Sequence, residues 1–246
     1  MAGFAQVFAA CAGISAQKQA DNAAELQRLS RVAQTAQQEG HYDEALRAYQ
    51  TITVVAAGSP KTAAAAYLKV GAMDMALGKF DEAAAAFQHS IALDSGSAEA
   101  YNGLGESLGK LKRYQQALEA FQQATALDGS LVRPRYNTGV TYERMGQLKY
   151  AEFVYRILIR DHPDFALGYD GLAVTLSKSG RGREAIPFHE RAISLNPSDP
   201  SLYYNFAISC VILGDVRRAQ ELQQKLHDLD PQMADKLGSA IARRQQ

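Results

Sequence analysis

The sequence predicts an all-α chain built as an array of stacked helix hairpins. Three observations carry that expectation: self-similarity at 34 residues along most of the 246, an alanine held in register in every copy, and a turn residue five places before it, glycine in five copies of six. A fixed period in this range marks a supersecondary unit that cannot bury its apolar face alone and stacks on its neighbours to do so.

Aligning Gly40, Gly78, Lys112, Gly146, Gly180 and Gly214 as the turn between two helices divides the chain into blocks 26–59, 64–97, 98–131, 132–165, 166–199 and 200–233. The last five abut without insertion. Five residues after each turn stand Ala45, Ala83, Ala117, Ala151, Ala185 and Ala219, small enough for the second helix to approach the first. One helical turn later come Tyr49, Phe87, Phe121, Tyr155, His189 and Gln223, so a bulky knob is expected in four copies and lost in the last two.

Each first helix carries a small residue (Ala33, Gly71, Gly105, Gly139, Ala173, Ala207), and four of them have an aromatic four places earlier: Tyr67, Tyr101, Tyr169 and Tyr203. Pro163, Pro197 and Pro231 close the later blocks because proline cannot continue a helix. The four extra residues 60–63 are expected to interrupt the array after its first copy. In the tail 234–246, Leu237 and Ile241 continue the spacing of Met233, which predicts a short capping helix weakened by Gly238.

This pattern resembles the tetratricopeptide repeat over six blocks. The resemblance implies two antiparallel helices per block and a right-handed superhelical solenoid whose concave groove is lined by the first helices. It also implies a protein that holds another protein, not an enzyme.

Composition narrows the partner. Twenty-six Lys and Arg balance twenty-six Asp and Glu, which leaves no cationic excess for nucleic acid. Cys11 and Cys210 form no CxxC pair, and no run of 18 apolar residues occurs. The stretch 103–110 has glycines but lacks the Gly and Ser/Thr that a phosphate-binding loop needs, and its residues fall on packing positions. The five histidines share no metal-binding spacing, and no nucleophile elbow occurs. No catalytic residue, cofactor or metal is expected.

The resemblance places ligand contacts at positions 2, 5, 6, 9, 12 and 13 of each first helix. The family's clamp for a carboxylate tail is missing: Asn137 fills one place, but Leu167 and Gly171 follow, and Asn102 and Glu106 precede. The last three blocks instead put Val140, Val174 and Ile208 at position 9, flanked by Tyr136, Asn137, Asp170, Tyr204 and Asn205. A solvated groove accepting an apolar peptide or helix is the expectation, with closure of the array or a homo-oligomer over these residues as the alternative. Polar Gln27, Arg31, Gln34, Gln37 and Gln38 line the first copy.

Residues 1–25 form an Ala- and Gln-rich leader expected to be flexible or weakly helical. Within it, the run from Phe8 to Gly13 resembles the cleavage box of a bacterial lipoprotein, with Cys11 as the lipidation candidate, although only ten residues precede it and no Lys or Arg occurs before Lys18. Lipidation would place the chain on the periplasmic side of the cell envelope, attached to the membrane only by lipid, and similar in kind to lipoproteins that assist pilus and secretin assembly. Without it a cytoplasmic location is expected. A self-assembling scaffold is the competing function.

Overall fold

The computed structural model describes the backbone of residues 2–244 and the side chains of residues 17–243. Residues 1–128 and 129–246 form two compact units. Both are all-helical among the described residues.

Unit 1 holds three hairpins: α1 (Ala2–Gln38) with α2 (Tyr42–Val55), α3 (Pro60–Ala76) with α4 (Phe80–Leu93), and α5 (Ala98–Lys110) with α6 (Tyr114–Leu127). Unit 2 holds α7 (Val132–Arg144) with α8 (Leu148–Asp161), α9 (Ala166–Lys178) with α10 (Gly182–Leu195), and α11 (Pro200–Leu213) with α12 (Val216–Leu229). A last helix, α13 (Pro231–Arg244), packs on α11 and α12.

Every hairpin turn is closed by the same bonds. The amide after the turn residue returns to a carbonyl five places back, as in Lys79 to Asp74 (2.8 Å), Arg113 to Leu108 (2.9 Å) and Gln147 to Tyr142 (2.9 Å). This closure needs a left-handed backbone, which glycine adopts without steric cost. Gly78 and Gly146 have φ of +75° and +73°, and Lys112 is held at +62° by the same bonds.

The registered alanines Ala45, Ala83, Ala117, Ala151, Ala185 and Ala219 are all fully buried. Knobs fill the space between consecutive hairpins. A Cβ added to Gly71 or Gly103 would fall 2.8 or 2.4 Å from the Phe87 ring, and one added to Gly139 or Gly171 would fall 2.6 or 2.5 Å from Tyr155. The rings therefore occupy volume that a side chain would need, and burying each stabilises by roughly 1.5–3 kcal/mol.

Of the two forms expected for the leader, the backbone from residue 2 takes the helical one, continuous with the first repeat in α1, because alanine and glutamine favour helix once the hairpin nucleates it. Three expectations require correction. Residues 60–63 add a turn to the start of α3, with Pro60 at its first position, instead of interrupting the array. The capping helix starts at Pro231, three residues earlier than expected, since the proline that ends α12 also opens α13. The knob is not lost at His189, which is 1% exposed and stacks on Phe206 at 4.9 Å. Gln223 is half-buried and donates to the Ala234 carbonyl, tying α12 to the cap.

Candidate functional site

The predicted strip lies on the first helices of unit 2, and its residues prove to be largely packed. Tyr136 from α7 is half-buried, with its ring 6.0 Å from Tyr155 and edge-on to Phe165 at 5.8 Å. Burial, with the charges of Asp170 and Glu143, pushes its phenol up to about 12, so it stays a neutral hydrogen-bond donor. Val140 packs against the core around Tyr155 and Leu172, and Tyr204 and Ile208 pack against the core around Phe206 and Cys210. Val174, Asn137 and Asn205 are half-buried.

Asp170 departs furthest from the solvated face expected, being only 5% exposed. Its Oδ2 accepts from Asn205 Nδ2 at 2.7 Å and its Oδ1 from His189 Nδ1 at 3.1 Å. Ionised carboxylate oxygens only accept, so Nδ1 carries the imidazole proton, and Nε2 can accept from the Ser209 hydroxyl at 2.9 Å. A buried carboxylate without such donors would be costly, and these bonds tie α9, α10 and α11 together.

The order Asp170, His189, Ser209 matches that of a hydrolytic relay, but Ser209 is 4% exposed and enclosed by helices, so no carbonyl can reach its Oγ. The arrangement serves packing. Nearby, burial pushes the Cys210 thiol up to about 11, which makes it a poor nucleophile.

Unit 1 presents the same helical positions differently. A cavity of about 320 Å³ opens on α3 and α5, lined by Leu68, Lys69, Ala72, Met75, Phe87, Glu99, Asn102, Gly103 and Glu106. Apart from the knob Phe87, these residues occupy the groove positions 5, 6, 9 and 12 of one repeat and 2, 5, 6 and 9 of the next. Its floor is the Phe87 ring seen past Gly103, where no Cβ can stand. Ser107 donates to the Gly103 carbonyl at 2.8 Å, and Asn102 donates to Glu106 at 2.9 Å.

Sequence reasoning missed this cavity because Gly103 reads only as a packing residue and Ala72 carries no signal of its own. The available signal was a small residue at groove positions 6 and 9 beside a knob that leaves space above it. Among the described residues no cluster of His, Cys, Asp and Glu suits a metal, and no helix is long and apolar enough to cross a membrane. The side chain of Cys11 lies outside the described residues.

Hairpins of constant register with a groove on their first helices define a helical repeat scaffold for protein interaction. Tetratricopeptide-repeat family models match residues 61–130, 135–164 and 169–201. The chain is a tetratricopeptide-repeat protein.

Solved structures agree in fold. MamA is 26% identical with a TM-score of 0.58, the match covering 71% of this chain and 93% of MamA. PilW, described as a widely conserved type IV pilus biogenesis factor, is 21% identical with a TM-score of 0.70, covering 84% of this chain and 94% of PilW. YrrB, described as having an unusual peptide-binding site, is 19% identical with a TM-score of 0.51, covering 72% of this chain and 92% of YrrB. No curated protein matches the chain.

Proposed function

We propose that the protein binds a segment of a partner protein on the first helices of its repeats, and that the unit 1 cavity is the anchor point. The cavity carries this reading: Leu68, Ala72, Met75 and Phe87 offer an apolar floor, with polar Asn102 and charged Glu99 and Lys69 at its margin. A partner side chain entering it would bury apolar area while its backbone met polar groups. In unit 2, Tyr136, Asn137, Val174, Tyr204 and Asn205 remain partly accessible and form a shallower contact strip.

The test is affinity capture from the native cells with two variants. Ala72→Trp fills the cavity from its rim and should abolish capture, and because Ala72 is half-buried against the unit 1 core, a melting curve must show the variant folded at the capture temperature. Val174→Asp should weaken capture less, and it also costs stability because Val174 is half-buried. Undiminished capture by Ala72→Trp defeats the cavity reading.

A role in assembling an envelope complex of the pilus or secretion kind is the finer form of this proposal. The lipoprotein-like run around Cys11 supports it. Membrane partition lost in Cys11→Ser would sustain it, and an unlipidated intact mass from native cells would end it.

A further inference from the structure

Repeat 4 differs from every other repeat on the outer face of its second helix. Positions 19 and 22 hold Gln116 and Glu119 in the repeat before, Glu184 and Pro187 in the repeat after, and Arg218 and Glu221 in the last. No repeat but the fourth carries an aromatic residue at either place; there they are Tyr150 and Phe153. Both are on the surface of α8, 61% and 64% exposed. Neither aromatic is needed by the fold, since the other five repeats form the same hairpin with polar residues, alanine or proline there.

The two rings are neighbours on one helix face, three residues apart, and Ile157 extends the face by another turn. Tyr142 of α7 stacks on Tyr150 at 5.4 Å with the planes 27° apart, which fixes the ring outward. Fixed, solvent-facing aromatics lose little side-chain freedom on binding and are the residue types that anchor interfaces. Lone exposed apolar residues are ordinary; a stacked, contiguous group on one repeat is not.

The charge around the patch selects the partner. Lys149 lies four residues before Phe153, and Arg156 and Arg160 lie three and seven after it, along one side of α8, and all three are exposed. Lys149 makes no ion pair among the described residues. Glu152 borders this side of the helix, but its carboxylate is largely covered and is neutralised by Arg156 and Arg181, which it binds at 2.8 Å each. Arg160 pairs with Asp161 at 2.8 Å, an exposed contact that a competing carboxylate can exchange at small cost.

We propose that the α8 face is a second docking surface, separate from the groove, for an acidic amphipathic helix of a partner protein. Apolar residues of that helix cover Tyr150 and Phe153, and its carboxylates meet Lys149 and the two arginines. The protein then joins two partners at once, one in the unit 1 cavity and one on this outer face of repeat 4.

The probes are three designed, fluorescein-labelled helical peptides that share one Leu/Ile stripe and carry Glu, Gln or Lys on its flanks. Anisotropy titration of the full-length protein should show the Glu peptide binding at least about tenfold tighter than the other two, with the gap narrowing as salt rises. Replacing Tyr150 and Phe153 together by Gln, the residue at Gln116, should abolish this binding with the melting curve intact. Lys149→Gln should weaken the Glu peptide alone, and Ala72→Trp should leave its binding unchanged, which separates this surface from the groove. Equal binding of all three peptides, or full binding to the double variant, overturns the proposal. Concentration-dependent self-association that the double variant abolishes overturns it too, because the occupant is then a second copy of this chain.

Discussion

The two units use one repeat register and fill some of its groove positions differently. In unit 1 the groove is hollow, because Ala72 and Gly103 withdraw side-chain volume above the Phe87 ring and leave a cavity of about 320 Å³. In unit 2, Gly171 stands over the Tyr155 ring as Gly103 stands over Phe87, but position 9 carries Val140, Val174 and Ile208 where unit 1 has Ala72, and Tyr136 and Asp170 at position 5 turn into the helix stack. Each unit has a tyrosine knob, Tyr49 donating to Gln37 and Tyr155 to Glu143, but Phe87 and Phe121 of unit 1 are hydrocarbon, whereas His189 of unit 2 is a polar knob with Asp170 and Ser209 as partners. Bulk at a groove position therefore does not signal a binding surface. A large side chain there strengthens packing between first helices, and a small one leaves room for a ligand.

The largest effect expected should leave the two units alike. Ala117→Leu and Ala151→Leu place an isobutyl group at fully buried helix crossings, one in each unit, and overpacking should cost each roughly 1–3 kcal/mol in chemical denaturation. A melting temperature unchanged in either variant would show that the shared register fails in that unit.

His189→Phe makes this unit 2 knob like Phe87 and Phe121 of unit 1. The ring can still stack on Phe206, but Ser209 and Asp170 each lose a buried hydrogen bond, so a loss of about 1–3 kcal/mol is expected. A gain in stability would mean that the polar knob is merely tolerated.

Asp74 of α3 gives a matching test in unit 1. It is 4% exposed, and burial raises its carboxyl above the ordinary 3.8, with Lys79 opposing and Glu82 reinforcing the shift. Folding thus favours the protonated acid, so the stability this group contributes is full below 3.8 and is lost as pH rises through its folded value. Asp74→Asn should be the more stable form at neutral pH. Urea melts across the acid range should show that advantage closing, and an advantage independent of pH would exclude the titration as its source.

The smallest effect concerns the one turn without glycine. Lys112→Gly removes a left-handed strain of about 1–2 kcal/mol and adds up to about 1 kcal/mol of unfolded-chain freedom, for a net gain of about 0.5–1 kcal/mol. The same change made at Arg113, whose φ is −84°, should destabilise, which ties the benefit to the turn geometry.

The sequence by itself determined the hairpins, because turn chemistry, the registered alanines and the aromatic knobs are local and repeat at 34 residues. It also located the groove positions, once the repeat was recognised. Whether each of those positions would be filled or hollow was decided by tertiary structure, since that depends on residues far apart in the chain. Asp170 reads as a surface acid until His189 and Asn205, 19 and 35 residues on, close over it. Gly103 reads as helix packing until Phe87 of the preceding repeat stands beneath it and Met75 and Ala72 line its rim. Periodicity records which face a residue occupies, but the depth of that face is set by the volumes of side chains that meet only when the repeats stack.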